Sequence, residues 1–316
     1  MFFMLHRVWE SRMEPFRVFG NLYFVGTKPA SAHLIDTGAG LILLDSGYPE
    51  TLYLVLDSIR RLGFRLEDLA LILHSHGHID HIGGTRALVE LTGAKTAIGA
   101  ADADTVRGRR PLTFVKELGM TFDGFFEPDR LLQDGDVIAL GSTRITCLHT
   151  PGHTEGTMSY FFDVTDENGR TLRVGTHGGV GMNSMARSYL LAYGLPLRLR
   201  EEFRAGLRRL QGEYVDIFIG NHQDQCDTIG KSERIRAGEA DAFVDPSAWP
   251  LYLADCEQKL DRMLAEEAES FRTGEEGYEK ITLGRHRCGW HCGPQNDPGD
   301  DAGEERGADR RHGHQR

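Results

Sequence analysis

"HSHGHIDHIGG", His74–Gly84, sets four histidines and an aspartate within eight residues. A buried imidazole needs a partner for each ring nitrogen, so a cluster this dense has a shared task, and its residue types suit metal binding or proton transfer. Just before it, "LALILH" (69–74) is an unbroken apolar run that predicts a buried strand. Just after it, "GGTRALVELTG" (83–93) predicts a helix, with Ala87, Leu88 and Leu91 facing inward and Gly93 as its stop. The cluster therefore falls on a strand-to-helix loop, where a rigid strand holds one end of the segment and a helix the other.

Working outward, the first half is β-rich. "FRVFGNLYFVG" (16–26) and "AHLIDTGAGLILLDSG" (32–47) are strand-like runs punctuated by Gly and Asp, and Leu52, Val55, Leu56, Ile59 and Leu62 recur at helical spacing between Pro49 and Gly63. The second half repeats this grammar. "DVIALGSTRITCLHTPGH" (136–153), "MSYFFDV" (158–164) and "TLRVGTH" (171–177) predict strands, followed by a helix near 200–211 and a strand in "YVDIFIGNH" (214–222). His153 and His222 again close strand-like runs, so strand-end loops converge on one edge of an α/β fold.

Beyond these two halves, residues 245–271 contain a helix whose Leu253, Leu260, Met263 and Leu264 pack on the body. From Gly284 the chain is rich in Gly, charge and His, and disorder is expected there. The expected organisation is an N-terminal extension (1–16), one domain (17–235), a packed helical extension (236–283) and a disordered tail (284–316).

Composition bounds the function. With 36 Lys+Arg against 47 Asp+Glu, a net charge of −11 argues against a general affinity for nucleic-acid phosphates, and a small-molecule substrate is expected instead. The opening "MFFML" is too short for a signal core or a membrane span, and five scattered cysteines, an odd number, make no disulfide framework. A cytoplasmic protein with no membrane partner is the expectation.

The spacing H-x-H-x-D-H lets one loop serve two ions, because residues two apart point the same way. His76 and His78 can grip one ion while Asp80 and His81 turn to a neighbour, with His153 and His222 as outside donors. Imidazole and carboxylate without thiolate suit zinc, with iron and manganese also compatible. Zinc brings the pKa of bound water to about 7, so hydroxide forms at neutral pH and attacks a carbonyl carbon, and Asp80 is the candidate to orient it or carry its proton.

The three segments "HSHGHIDHIGG", "TPGHTEGTMSYFF" and "IGNH" resemble, in order and spacing, the motifs of the metallo-β-lactamase-fold hydrolases. That family includes lactamases, glyoxalase II-type thioesterases, lactonases and phosphodiesterases. Over residues 17–235 the resemblance implies a four-layer αββα sandwich and a catalytic domain with two zinc ions. It implies His76, His78 and His153 as ligands of the first ion, and Asp80, His81 and His222 as ligands of the second. One departure narrows the likeness. Glyoxalase II-like members carry a bridging aspartate where this chain reads "RVGTHGGVGMN", with Thr176 or His177 at that place. The missing carboxylate resembles the third subclass of metallo-β-lactamases.

The expected function is a zinc-dependent hydrolase of a lactam, lactone, ester or thioester. The alternatives are an iron-dependent oxidoreductase of the persulfide dioxygenase type and a non-catalytic metal-binding protein. His177, His149, Asn221 and Asn183 are candidates for substrate contacts or for supporting the ligands, with structural hydrogen bonding as the ordinary role of His74 and His149. Tyr189 and Tyr193 are expected to pack as core aromatics. His286, Cys288, His291 and Cys292 have ligand chemistry but no second strand of ligands.

Overall fold

The structure, a computed structural model, describes residues 7–273. The cysteine and histidine pairs of the tail, and the expected disorder there, lie outside the described residues.

Seven strands make the first sheet: β1 (Phe16–Phe19), β2 (Leu22–Phe24), β3 (His33–Asp36), β4 (Leu41–Leu44), β5 (Leu69–Leu73), β6 (Lys95–Gly99) and β7 (Arg130–Leu132), hydrogen-bonded in that order. Pairing is antiparallel from β1 to β4 and parallel from β4 to β7. The second sheet holds β8 (Val137–Leu140), β9 (Thr143–His149), β10 (Met158–Thr165), β11 (Thr171–Thr176) and β12 (Ile217–Phe218) in the order β12-β11-β10-β9-β8.

The unbroken apolar run of β4 has a simple cause, since successive side chains point to opposite faces and both faces are covered. Ile42 and Leu44 enter the core shared with Ile145, Tyr160 and Phe162 of the second sheet. Leu41 and Leu43 enter a separate core with Val55, Ile59 and Leu88, on α1 (Leu52–Arg61) and on a helix that follows the histidine cluster. Between β5 and that helix runs α2 (Ile79–Ile82), a single turn, and the helix itself is α3 (Thr85–Thr92). Of the inward positions expected on α3, only Leu88 is buried; Ala87 and Leu91 are exposed, and Thr85 takes the second inward place. Helix α3 is short and lies over one patch of sheet, so its buried stripe is narrower than the apolar pattern suggests.

After β6 come α4 (Ala103–Val106) and a long connection to β7. The second half adds α5 (Arg187–Ala192), α6 (Leu199–Leu210), α7 (Thr228–Arg236) and α8 (Ala248–Thr273). Phe203, Leu207 and Leu210 of α6 and Trp249, Leu253, Cys256 and Leu260 of α8 join the larger core, and Phe161 meets Trp249 edge-on at 5.7 Å. The layers are therefore helix, sheet, sheet and helix, the αββα sandwich expected. β12 is only two residues long; the Ile219 amide still donates to Gly175 of β11 at 3.1 Å, and beyond it the chain carries Asn221 and His222 to the edge where the loops meet.

Candidate metal centre

The histidine cluster leaves β5 and is gripped at once by its surroundings. The Ser75 amide and hydroxyl both donate to Asp45, at 2.7 Å each, and the Met158 amide at the start of β10 donates to the Ser75 carbonyl at 2.9 Å. This last bond joins the two sheets directly beneath the site. The approach is close: a Cβ on Gly83 would lie 2.3 Å from Pro49 Cδ, and one on Gly84 would lie 2.7 Å from the Ser46 carbonyl oxygen. Glycine is required at both places.

His76, His78 and His153 bring their ring nitrogens within 4.8 Å of one another, and His76, Asp80 and His81 form a second, overlapping group. His222 joins through Asp80, whose Oδ2 lies 3.3 Å from His81 Nε2 and 3.4 Å from His222 Nε2. All six expected ligands thus meet at one edge of the paired sheets.

Four of the rings are held by their Nδ1 atoms. His76 Nδ1 donates to the Gly178 carbonyl at 2.7 Å, His153 Nδ1 to Gly181 at 2.8 Å, and His222 Nδ1 to Pro29 at 2.9 Å. His81 Nδ1 donates to Asp45 Oδ2 at 2.8 Å. A proton committed to a carbonyl at Nδ1 leaves a lone pair on Nε2 of a neutral ring. The Nε2 atoms of His76 and His153 face each other at 3.2 Å, so two lone pairs meet where a shared cation is needed. His81 Nε2 is buried and makes no well-aligned hydrogen bond, with Asp80 Oδ2 3.3 Å away. These features fit bound cations.

The electrostatics agree. Burial, reinforced by neighbouring histidines, holds His76 and His78 well below the ordinary imidazole value. Burial likewise brings His153 down to about 4. For His81 burial also acts downward, but Asp80 and Asp45 outweigh it and raise its affinity for a proton. Asp80 is held well below the usual carboxylate range: burial opposes ionisation, and His81, His222 and His78 overcome it. A position flanked by two carboxylates favours positive charge, whether a proton or a metal ion.

The remaining candidates separate. Asn221 Nδ2 donates to the Gly178 carbonyl at 2.7 Å, the same oxygen that accepts from His76, so Asn221 supports the anchor of the His76 ring. His149 Nε2 donates to the Glu155 carbonyl at 2.8 Å and braces the turn after His153. His177 falls outside both groups; it is buried, its Nδ1 accepts from the Gly179 amide at 3.2 Å, and its Nε2 has no partner. Burial, with His153 nearby, lowers its pKa to about 3. Asn183 is exposed in a short turn and is not drawn into the cluster. His74 is fully structural, with Nδ1 donating to Ala97 and Nε2 meeting Thr85 Oγ1 at 2.7 Å.

Other contributors were not singled out by sequence. Asp45 sits at a φ of 61° after β4, and the only sign of it is a strand ending in "DSG". Phe114, at a φ of 65° in the connection before β7, packs on the His78 ring at 5.1 Å and on Tyr189 at 5.4 Å. Tyr189 in turn stacks near Tyr193 at 4.6 Å, and Tyr193 donates to Glu117. The two tyrosines do pack as aromatics, in a row that reaches the His78 ring through Phe114.

The family model for the metallo-beta-lactamase superfamily matches residues 25–189, which is 165 of 316 residues. The chain belongs to that superfamily. Among solved structures it resembles BJP-1, a subclass B3 metallo-beta-lactamase of Bradyrhizobium japonicum, with a TM-score of 0.74 and 27% identity over 83% of this chain and 98% of that one. It resembles FEZ-1 of Legionella gormanii with a TM-score of 0.73 and 28% identity over 85% and 98%. The likeness expected to the third lactamase subclass is met in these neighbours. Among curated proteins, a hydroxyacylglutathione hydrolase of Gloeobacter violaceus is 35% identical over 108 residues, covering 34% of each chain. An acyl-coenzyme A thioesterase of Bos taurus is 32% identical over 141 residues, covering 40% of this chain and 48% of its own length. The chain spans less than two thirds of the length of these curated relatives, 34% of the first and 48% of the second.

Proposed function

We propose that the chain is a zinc-dependent hydrolase of a small carbonyl compound, a lactam, lactone, ester or thioester, holding two ions per chain. The observation that carries the reading is the meeting of the His76 and His153 Nε2 atoms at 3.2 Å while both Nδ1 protons are committed to carbonyls. His76, His78 and His153 would hold one ion, and Asp80, His81 and His222 the other. When bound, such ions act as Lewis acids and ionise water near neutral pH.

The chain's own residues supply the rest. The Asp80 carboxylate, 9% exposed and set between His81 and His222, would orient the attacking water and pass a proton to the leaving group. Asp45 keeps His81 turned so that Nε2 faces the centre. Phe114, Tyr189 and Tyr193 exclude water from one side of His78 and offer the substrate an apolar wall. Among the described residues no helix is long and apolar enough to cross a membrane.

The test is metal content by elemental analysis, compared among wild type, His76→Ala and His222→Ala, followed by hydrolysis assays on lactams, lactones and thioesters. Two zincs in the wild type, one fewer in each variant, and turnover of one substrate class are expected. A single iron kept by His222→Ala would transfer the assignment to oxygen chemistry, and absence of bound metal would end it.

A further inference from the structure

Asp102 closes the turn after β6 and is buried at 3% exposure. It stands at the N-cap of α4, where an aspartate ordinarily accepts from the first amides of its helix. Its side chain makes no such cap bond. It points instead at the two loops of the metal centre. Oδ2 accepts from the Gly77 amide at 2.8 Å and from Thr154 Oγ1 at 2.7 Å, and Oδ1 accepts from the Gly156 amide at 2.9 Å.

The positions of these donors are what matter. Gly77 lies between His76 and His78, and Thr154 follows His153, so one oxygen atom ties together the neighbours of all three histidines. There is no slack in the contact: a Cβ on Gly156 would lie 2.5 Å from the Asp102 amide nitrogen, and one on Gly99 would lie 2.0 Å from the Gly156 carbonyl oxygen. A buried carboxylate without a cation is costly, and no salt bridge to Asp102 is present among the described residues. An asparagine of the same shape would turn an N–H toward at least one donor, so only a carboxylate satisfies all three bonds.

We infer that Asp102 is a positioning residue for the metal centre, fixing the loop of His76 and His78 against the loop of His153. The inference rests on the reading of those three histidines as the ligands of one ion. Their nitrogens come from two loops, and a ligand set must be held to within about 0.5 Å to keep its affinity. Asp102 sets that separation before an ion arrives.

Chelator-competition titration of zinc into the metal-free full chain tests it, with cobalt(II) absorption as a second signature of the ligand geometry. The same titration in a His222→Ala background isolates the three-histidine group. Asp102→Asn is expected to weaken that group's affinity by about 10- to 100-fold and to alter the cobalt spectrum. Thr154→Val, which removes one of the three donors, shifts affinity in the same direction by less, and Thr154→Ser restores it. The Thr154 pair decides the question even if Asp102→Asn fails to fold. A merely structural Asp102 would lower the thermal stability of the metal-free chain and leave zinc affinity at the wild-type value. Wild-type affinity in a folded Asp102→Asn chain, or equal affinities for Thr154→Val and Thr154→Ser, would overturn the inference alone. Failure of the wild type to take up zinc, or uptake unchanged by His76→Ala, would overturn the metal reading and this inference with it.

Discussion

The three-histidine group and the Asp80 group share the edge of one sandwich, yet they are built by different means. In the first, neutral imidazoles are oriented by backbone: His76 and His153 hang from the carbonyls of Gly178 and Gly181, and the Asp102 carboxylate ties together the amide and hydroxyl groups beside them. In the second, charge does the organising. His81 lies between Asp45 and Asp80, and His222, with a third of its side chain exposed, hangs from the single carbonyl of Pro29. The first group is preorganised by geometry, so its affinity depends on position. The second would offset an ion's charge with carboxylates but leaves His222, its proposed third ligand, partly exposed, so its occupancy should be the more easily lost.

Predictions follow from that difference. Stripping metal, or changing His76 to Ala, removes stabilisation worth several kcal/mol and should lower kcat/KM by about 10³-fold. Steady-state assays check this, in metal-free buffer for the stripped chain and with added zinc for His76→Ala, and full activity in the stripped chain would erase the distinction between the groups. His222→Ala should release one ion while the three-histidine group keeps the other, with a smaller fall in kcat/KM of about 10²-fold. Loss of both ions together would show the two groups to be one cooperative unit.

His33, on β3 and outside the two candidate ligand groups, gives a control on the fold. Burial, partly offset by Asp45, depresses its pKa from 6.5 to about 4. The unfolded chain therefore takes up the proton first. Stability present above pH 6.5 should fall as pH drops through 4, by about 3 kcal/mol for this group. Denaturant melts of metal-free wild type and His33→Gln at several pH values measure it, and identical slopes would refute it. The smallest effect belongs to the aromatic wall. Phe114→Ala should raise KM about fivefold, a loss of about 1 kcal/mol, with both ions retained. A loss of zinc instead would make Phe114 part of the first group's support.

The spacing of "HSHGHIDHIGG" made the candidate ligand loop legible because its residues are contiguous, and a metal-binding loop must keep its donors in register. The apolar runs of β4, β5 and β10 were legible for a similar reason, since strands covered on both faces need little polar punctuation. Helix α3 was only half legible: its pattern marked a helix but misassigned Ala87 and Leu91, because which face is buried depends on what lies across from it. Asp45, Asp102 and Phe114 left almost no trace, since each acts through a partner 30 or more residues away. Sequence alone determined the residue chemistry of the centre and the alternation of elements, both properties of local segments. Only the tertiary structure decided which carbonyls orient the rings, which carboxylates brace the loops, and how His153 and His222 reach the cluster, because those contacts exist only once the two sheets are packed face to face.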